Sequence, residues 1–180
     1  MKFLDNILQG INSFTLWVGR LIAGLCLLLV SLTILVVLLR YFFGMGSIAV
    51  QESITYVHSI IFMLGLAVAL KSGGHVRVDI FYRNFPEKRK AWVNLLGGVF
   101  FLLPFCGLIL FSSWDYVVAS WAIKETSAES DGIAAVYLLK SLMILMPVTL
   151  ALQGLSQILT SWLCIKGISS KVALVNEGDA

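Results

Sequence analysis

The chain has 180 residues, 59% of them hydrophobic and only 13% charged, with a mean hydropathy of +0.93. Soluble domains carry about 45–50% apolar and about 25% charged residues, so this composition excludes an ordinary soluble domain. The net charge of +3 sits in cations placed beside apolar runs, as topology signals are, which excludes a nucleic-acid surface.

Taken in chain order, the first element is an amphipathic segment. Phe3, Leu4, Ile7, Leu8, Ile11 and Phe14 recur at helical spacing, with Lys2, Asp5, Asn6, Gln9, Asn12 and Ser13 on the other face. This pattern predicts an N-terminal amphipathic interfacial helix over about 2–14 that lies on the membrane surface or packs on protein, with Trp17 anchoring a turn into the first span. No cleavable signal peptide is evident: the first apolar run starts late and is too long for an h-region. Met1 is therefore expected to be the mature start.

Arg20 and Arg40 bracket an uncharged run, Leu21–Leu39, long enough at about 1.5 Å per residue to cross the hydrocarbon layer. Spans are predicted at about 20–40, 52–71, 91–114 and 137–165, the third continuing as helix past Trp121, followed by a tail over 166–180. Four spans of about 20 residues leave no room for a separate catalytic domain. The fold class is thus an all-α membrane protein with four transmembrane helices, one integral membrane domain over 1–180. Pro104 and Pro147 fall inside spans and should kink them.

Between the second and third spans, residues 71–90 mix cations with Val76, Val78, Ile80, Phe81, Tyr82 and Phe85. This is a second amphipathic segment suited to membrane lipids and their anionic headgroups. In the loop at about 122–132, Thr126 with Glu129 fits a capping box, and Ser130 or Asp131 fits the N-cap of the fourth span.

With four crossings, the termini, the 71–90 loop and the tail share one side. That side holds ten of the 13 lysines and arginines; the other holds Arg40, Lys124 and Lys140. The imbalance predicts a multi-pass membrane protein with N- and C-termini cytoplasmic. Trp17, Trp92 and Trp162 at one level and Tyr41, Trp114, Tyr116 and Tyr137 at the other agree.

Ionisable groups at membrane depth need a partner or a task. Glu52 opens the second span among Gln51, Thr55, Tyr56, His58 and Ser59, where hydrogen bonding within a bundle or across a subunit interface competes with a proton or ion relay. Lys140 is expected to reach the outer interface or to pair with Glu52 or Glu129, and Arg40 has the same two options. His58 and His75 are separated by about 25 Å of helix, so they cannot both ligate one haem iron; only a paired His58 of a second copy or a partner's ligand would serve. Cys26, Cys106 and Cys164 fall in three different spans and form no disulfide or metal framework. No nucleophilic triad, HExxH or phosphate loop is present, so no catalytic residue, cofactor site or metal site is expected.

Several strings, in order, carry a family resemblance: Arg40-Tyr41-Phe42-Phe43-Gly44, Gln51-Glu52, Gly74-His75-Val76-Arg77-Val78-Asp79, Ser127-Ala128-Glu129-Ser130, and Lys140-Ser141 through Pro147 to Gln153-Gly154. Over about residues 15–165 the chain resembles the small membrane subunit of tripartite ATP-independent periplasmic (TRAP) transporters. The resemblance implies an accessory scaffold for a large transmembrane transport subunit, in sodium-gradient-driven uptake of an organic acid, a dicarboxylate or sialic acid for example, delivered by a periplasmic solute-binding protein. No cofactor is then bound by this chain, and sodium ions belong on the large partner. Arg40, Gln51, Glu52, His58 and Lys140 become interface or structural polar candidates, with His75, Arg77 and Asp79 on the cytoplasmic edge. Lys124, Glu125, Glu129, Ser130 and Asp131 become candidate contacts for the binding protein. The alternative is a haem- or quinone-anchoring subunit of a respiratory enzyme.

Overall fold

The computed structural model describes residues 2–73 and 85–167, and every described regular element is helical. The helices are α1 (Lys2–Phe42), α2 (Ile48–Lys71), α3 (Glu87–Gly97), α4 (Leu103–Ala122) and α5 (Val136–Ile165). A π-helical segment, Gly98–Leu102, joins α3 to α4, so these two form one long rod. Among the described residues, four helices are long and apolar enough to cross a membrane: Leu4–Phe42, Ile48–Lys71, Glu87–Ala122 and Val136–Ile165.

Helix α1 runs unbroken through Trp17, which corrects the expected turn there. At about 1.5 Å per residue its 41 residues measure roughly 60 Å, about twice the hydrocarbon thickness. Its first half is fixed by protein contacts. Leu8 is fully buried against Leu163 of α5, and a Cβ on Gly19 would touch Val68 of α2 at 3.3 Å. The inward stripe is Leu8, Asn12, Thr15 and Val18, whereas Ile7, Phe14 and Trp17 face outward. Asn12, placed on the polar outer face by the sequence pattern, thus turns inward. Of the amphipathic segment expected over 71–90, residues 74–84 lie outside the described residues, as does most of the 166–180 tail.

Gly44 ends the first hairpin arm. Its φ of +62° lies in the left-handed region that costs L side chains energy, and it lets the Met45 N–H return to the Leu39 carbonyl at 3.1 Å.

Helix α5 is the hub. It packs against α2 on one side and α3 and α4 on the other, while α1 packs on α2 and touches α5 through its first half. Where α5 meets the third rod, side chains vanish. A Cβ on Gly98 would lie 2.5 Å from Ile158 Cγ1, and one on Gly154 would run into Leu102 Cδ2. Small residues at such crossings let backbones approach, the main source of packing energy when lipid is the solvent.

The π segment has a local cause. Pro104 carries no N–H, so the Phe100 carbonyl loses its α-helical partner and the chain widens by one residue; Leu103 N–H bonds back to Gly98. Pro147 sits inside α5, fully buried. Close by, the Thr149 hydroxyl donates to the carbonyls of Leu145 and Met146 at 3.0 Å each.

The Gly98 crossing gives a direct test. Gly98→Leu overfills a site whose neighbour Ile158 is β-branched and stiff, and should destabilise by about 1–3 kcal/mol. The double variant Gly98→Leu/Ile158→Ala should recover part of that loss in detergent thermal melts.

Candidate functional site

Among the described residues, the side-chain hydrogen bonds that link one element to another gather at the two ends of the bundle. At the end bearing the termini, Thr15 Oγ1 donates to Gln153 Oε1 at 2.8 Å. Gln153 Nε2 and Ser156 Oγ both donate to Asn12 Oδ1, at 3.2 and 3.3 Å. Lys71 Nζ, from the last turn of α2, donates to the Asn12 backbone carbonyl at 3.1 Å. Gln153 is 4% exposed, so one buried amide ties α1 to α5 while Lys71 adds α2. Sequence reasoning noticed Gln153 only within a motif string; Asn12 and Thr15 carried no signal, because their partners lie some 140 positions away.

The middle layer is apolar except for the buried Thr149, whose hydroxyl is taken up by carbonyls of its own helix. Cys106, Met146 and Leu150 are buried and packed by Met63, Leu66, Ile109 and Ala151. None of these side chains can carry a hydrated ion or a carboxylate.

At the opposite end, Glu52 holds the loop that connects α4 to α5. Its Oε1 accepts from the Ser127 hydroxyl and its Oε2 accepts from the Ile133 backbone N–H at 2.6 Å. Gly132 lies so close that a Cβ there would meet Ser127 and sit 2.7 Å from Glu52 Oε1. Glu52 therefore pairs with neither Arg40 nor Lys140. Arg40, exposed in the last turn of α1, makes no ion pair among the described residues.

Lys140 instead takes Glu125, Nζ to Oε2 at 2.5 Å, with the ammonium 3.9 Å from the Tyr116 ring centre. The geometry that brings Glu125 there begins at Lys124. Its φ of +47° makes it the left-handed residue of a helix C-terminal cap, with Lys124 N–H on the Trp121 carbonyl and Glu125 N–H on the Ser120 carbonyl. That reversal folds Glu125 back over α5. Trp121 adds an indole N–H to Ser141 Oγ at 2.8 Å and an edge contact with Tyr137 at 4.8 Å.

The expected capping of α5 is not formed. The helix starts at Val136 with Ala135 at its N-cap and no side-chain cap; Ser130 and Asp131 lie several residues too early and face outward with Glu129. Ser127 Oγ accepts from the Glu129 N–H while its own hydrogen goes to Glu52, so the carboxylate of α2 organises this loop.

The polar half of α2 is divided. Glu52, Tyr56 and Ser59 are half-buried, whereas Gln51, Thr55 and His58 are exposed, His58 stacking on Phe62 with ring centres 6.4 Å apart. His75, Arg77 and Asp79 lie outside the described residues. Among the described residues no three His, Cys, Asp or Glu side chains converge on a metal-sized site. Cys26 is exposed, Cys164 half-buried and Cys106 buried.

A family model described as "Tripartite ATP-independent periplasmic transporters, DctQ component" matches residues 29–164. The chain belongs to that family. It is thus a transporter component and a multi-pass membrane protein, not an enzyme. Neither a curated protein nor a solved structure matched it.

In this DctQ-family chain the Glu125–Lys140 contact should depend on pH. The Lys140 ammonium holds the Glu125 carboxyl below the ordinary glutamate range. A lowered carboxyl pKa stabilises the fold at pH values above the unfolded-state pKa, and the contribution fades as pH falls through the lowered one. Melting of wild type and Glu125→Gln should therefore differ at neutrality, and the difference should start to shrink only below about pH 4, near the ordinary glutamate value, closing once the pH is under the lowered value of the folded state. A constant difference across that window would remove the ion pair from the account.

Proposed function

We propose that this chain is the accessory scaffold of a TRAP-type transporter, bracing a large transmembrane transport subunit during sodium-gradient-driven uptake of an organic acid. A periplasmic solute-binding protein delivers the acid, a carboxylate such as a dicarboxylate or sialic acid. Both termini lie in the cytoplasm and the Glu52–Ser127 end faces the periplasm, as the placement of lysine and arginine favours. No cofactor is held by this chain; the sodium ions bind the large subunit.

One observation supports this reading most: the apolar layer of Met63, Leu66, Cys106, Met146 and Leu150 separates two polar clusters whose groups are largely paired with one another. A conducting protein needs a continuous polar route; a brace needs rigid rods with their polar groups satisfied. The exposed side chains of Lys124, Glu129, Ser130 and Asp131 form the surface offered to the binding protein, on a loop that Glu52 and the Glu125–Lys140 pair keep in shape.

Omission of the chain tests the proposal. Cells or vesicles that contain the large subunit and the binding protein but lack this chain should lose sodium-driven uptake, and adding it back should restore uptake. Full uptake without it would refute the scaffold role.

A further inference from the structure

The outward face of α2 is the wrong surface for lipid. Gln51, Thr55 and His58 are exposed, and no side-chain hydrogen bond is formed by any of the three among the described residues. Gln51 to His58 covers about 10 Å of helix, so His58 lies well below the mouth of the span. Uncovered polar side chains at that depth are costly in hydrocarbon. The stripe then continues at the same spacing through Phe62, 60% exposed, to Gly65 and Ala69. A Cβ on Gly65 would meet nothing within 4 Å, so that position is open for another backbone to approach. The intervals of four, three, four, three and four residues keep all six on one side of the helix, and they run about 27 Å, close to the hydrocarbon thickness.

We infer that this stripe, Gln51–Thr55–His58–Phe62–Gly65–Ala69, is the docking face for one transmembrane helix of the large transport subunit. The inference rests on the scaffold reading above. Position selects the occupant: a periplasmic protein cannot reach residues at this depth, and acyl chains cannot satisfy an amide, a hydroxyl and an imidazole. A second copy of this chain fits poorly. Parallel copies related by an axis along the membrane normal would bring Phe62 against Phe62, holding the helices apart and preventing close approach at Gly65 and Ala69. A different helix can set a small residue against Phe62, a large one against Gly65, and hydrogen-bonding groups against Gln51, Thr55 and His58.

Photocrosslinking in the assembled complex tests the assignment. The chain is co-expressed with its own large membrane subunit, each bearing a different affinity tag, and a benzophenone amino acid replaces Phe62, Leu27 or Phe111 in turn. The last two side chains are 73% and 85% exposed on other faces. The expected result is an adduct carrying both tags from position 62, at least tenfold above positions 27 and 111. Gly65→Leu should cut co-purification of the large subunit about tenfold, with the variant's own melting unchanged. An adduct between two copies of this chain, or no adduct at 62 in a complex that still co-purifies, overturns the inference while leaving the scaffold reading intact. If the unaltered chain does not co-purify with the large subunit at all, the scaffold reading fails and the inference falls with it.

Discussion

Replacing Gln153 with leucine should loosen the first half of α1 from the bundle. Among the described residues, Gln153 is the only side chain that bonds both Thr15 and Asn12, at 2.8 and 3.2 Å, and it is 4% exposed. Its loss removes both bonds between the helices, leaving the buried Thr15 hydroxyl only the Ile11 carbonyl of its own helix and half-buried Asn12 only Ser156 as a side-chain partner. Interhelical hydrogen bonds in membranes are worth about 0.6 kcal/mol on average and up to about 1.7 kcal/mol, so losing two should cost roughly 1–3 kcal/mol. Detergent melting should fall accordingly, and proteolysis near Asn12 should accelerate while α4 stays protected. Gln153→Glu should not rescue, because a buried carboxylate cannot donate to Asn12 Oδ1. An unchanged melt for Gln153→Leu would mean that the Leu8–Leu163 contact alone holds α1 in place.

The second large effect belongs to Glu52. Glu52→Ala removes the acceptor of both the Ser127 hydroxyl and the Ile133 N–H, and these bonds shape the loop between α4 and α5. Trypsin should then cut after Lys124 on the order of tenfold faster than in wild type, since cleavage follows the population of the open loop. Gly132→Val should mimic it by driving a side chain into the space between Ser127 and Glu52. Glu52→Gln keeps one acceptor oxygen and should fall between. Loss of loop protection with the α-helical content unchanged would place the damage at the loop. Equal cleavage in all variants would show that the Glu125–Lys140 pair suffices to hold it.

What the sequence made legible, and what it hid, follows from the solvent. Length and hydropathy reveal a membrane-crossing helix directly, and the four spans, the ending at Gly44 and the disturbance at Pro104 were readable for that reason. Which way a helix faces was not readable, because lipid and protein interior are equally apolar and periodicity loses its meaning. The amphipathic pattern of residues 2–14 pointed Asn12 away from the bundle, yet Gln153 and Ser156 draw it inward. The polar start of α2 announced protein contact but not that Glu52 and Tyr56 turn to their own loop side while Gln51, Thr55 and His58 turn outward. Pairing at the outer end also escaped reading. Three carboxylates in the α4–α5 loop compete with Glu52 for Lys140, and the left-handed turn at Lys124, unusual for a residue with a side chain, decides for Glu125.

The central claim is that this DctQ-family chain braces a transport subunit and conducts nothing itself. Sealed vesicles containing only this chain, given the periplasmic binding protein, a labelled organic acid and an inward sodium gradient, test it most directly. The predicted result is no uptake above empty vesicles, with uptake appearing when the large subunit is added. Sodium-dependent accumulation by this chain alone would contradict the claim.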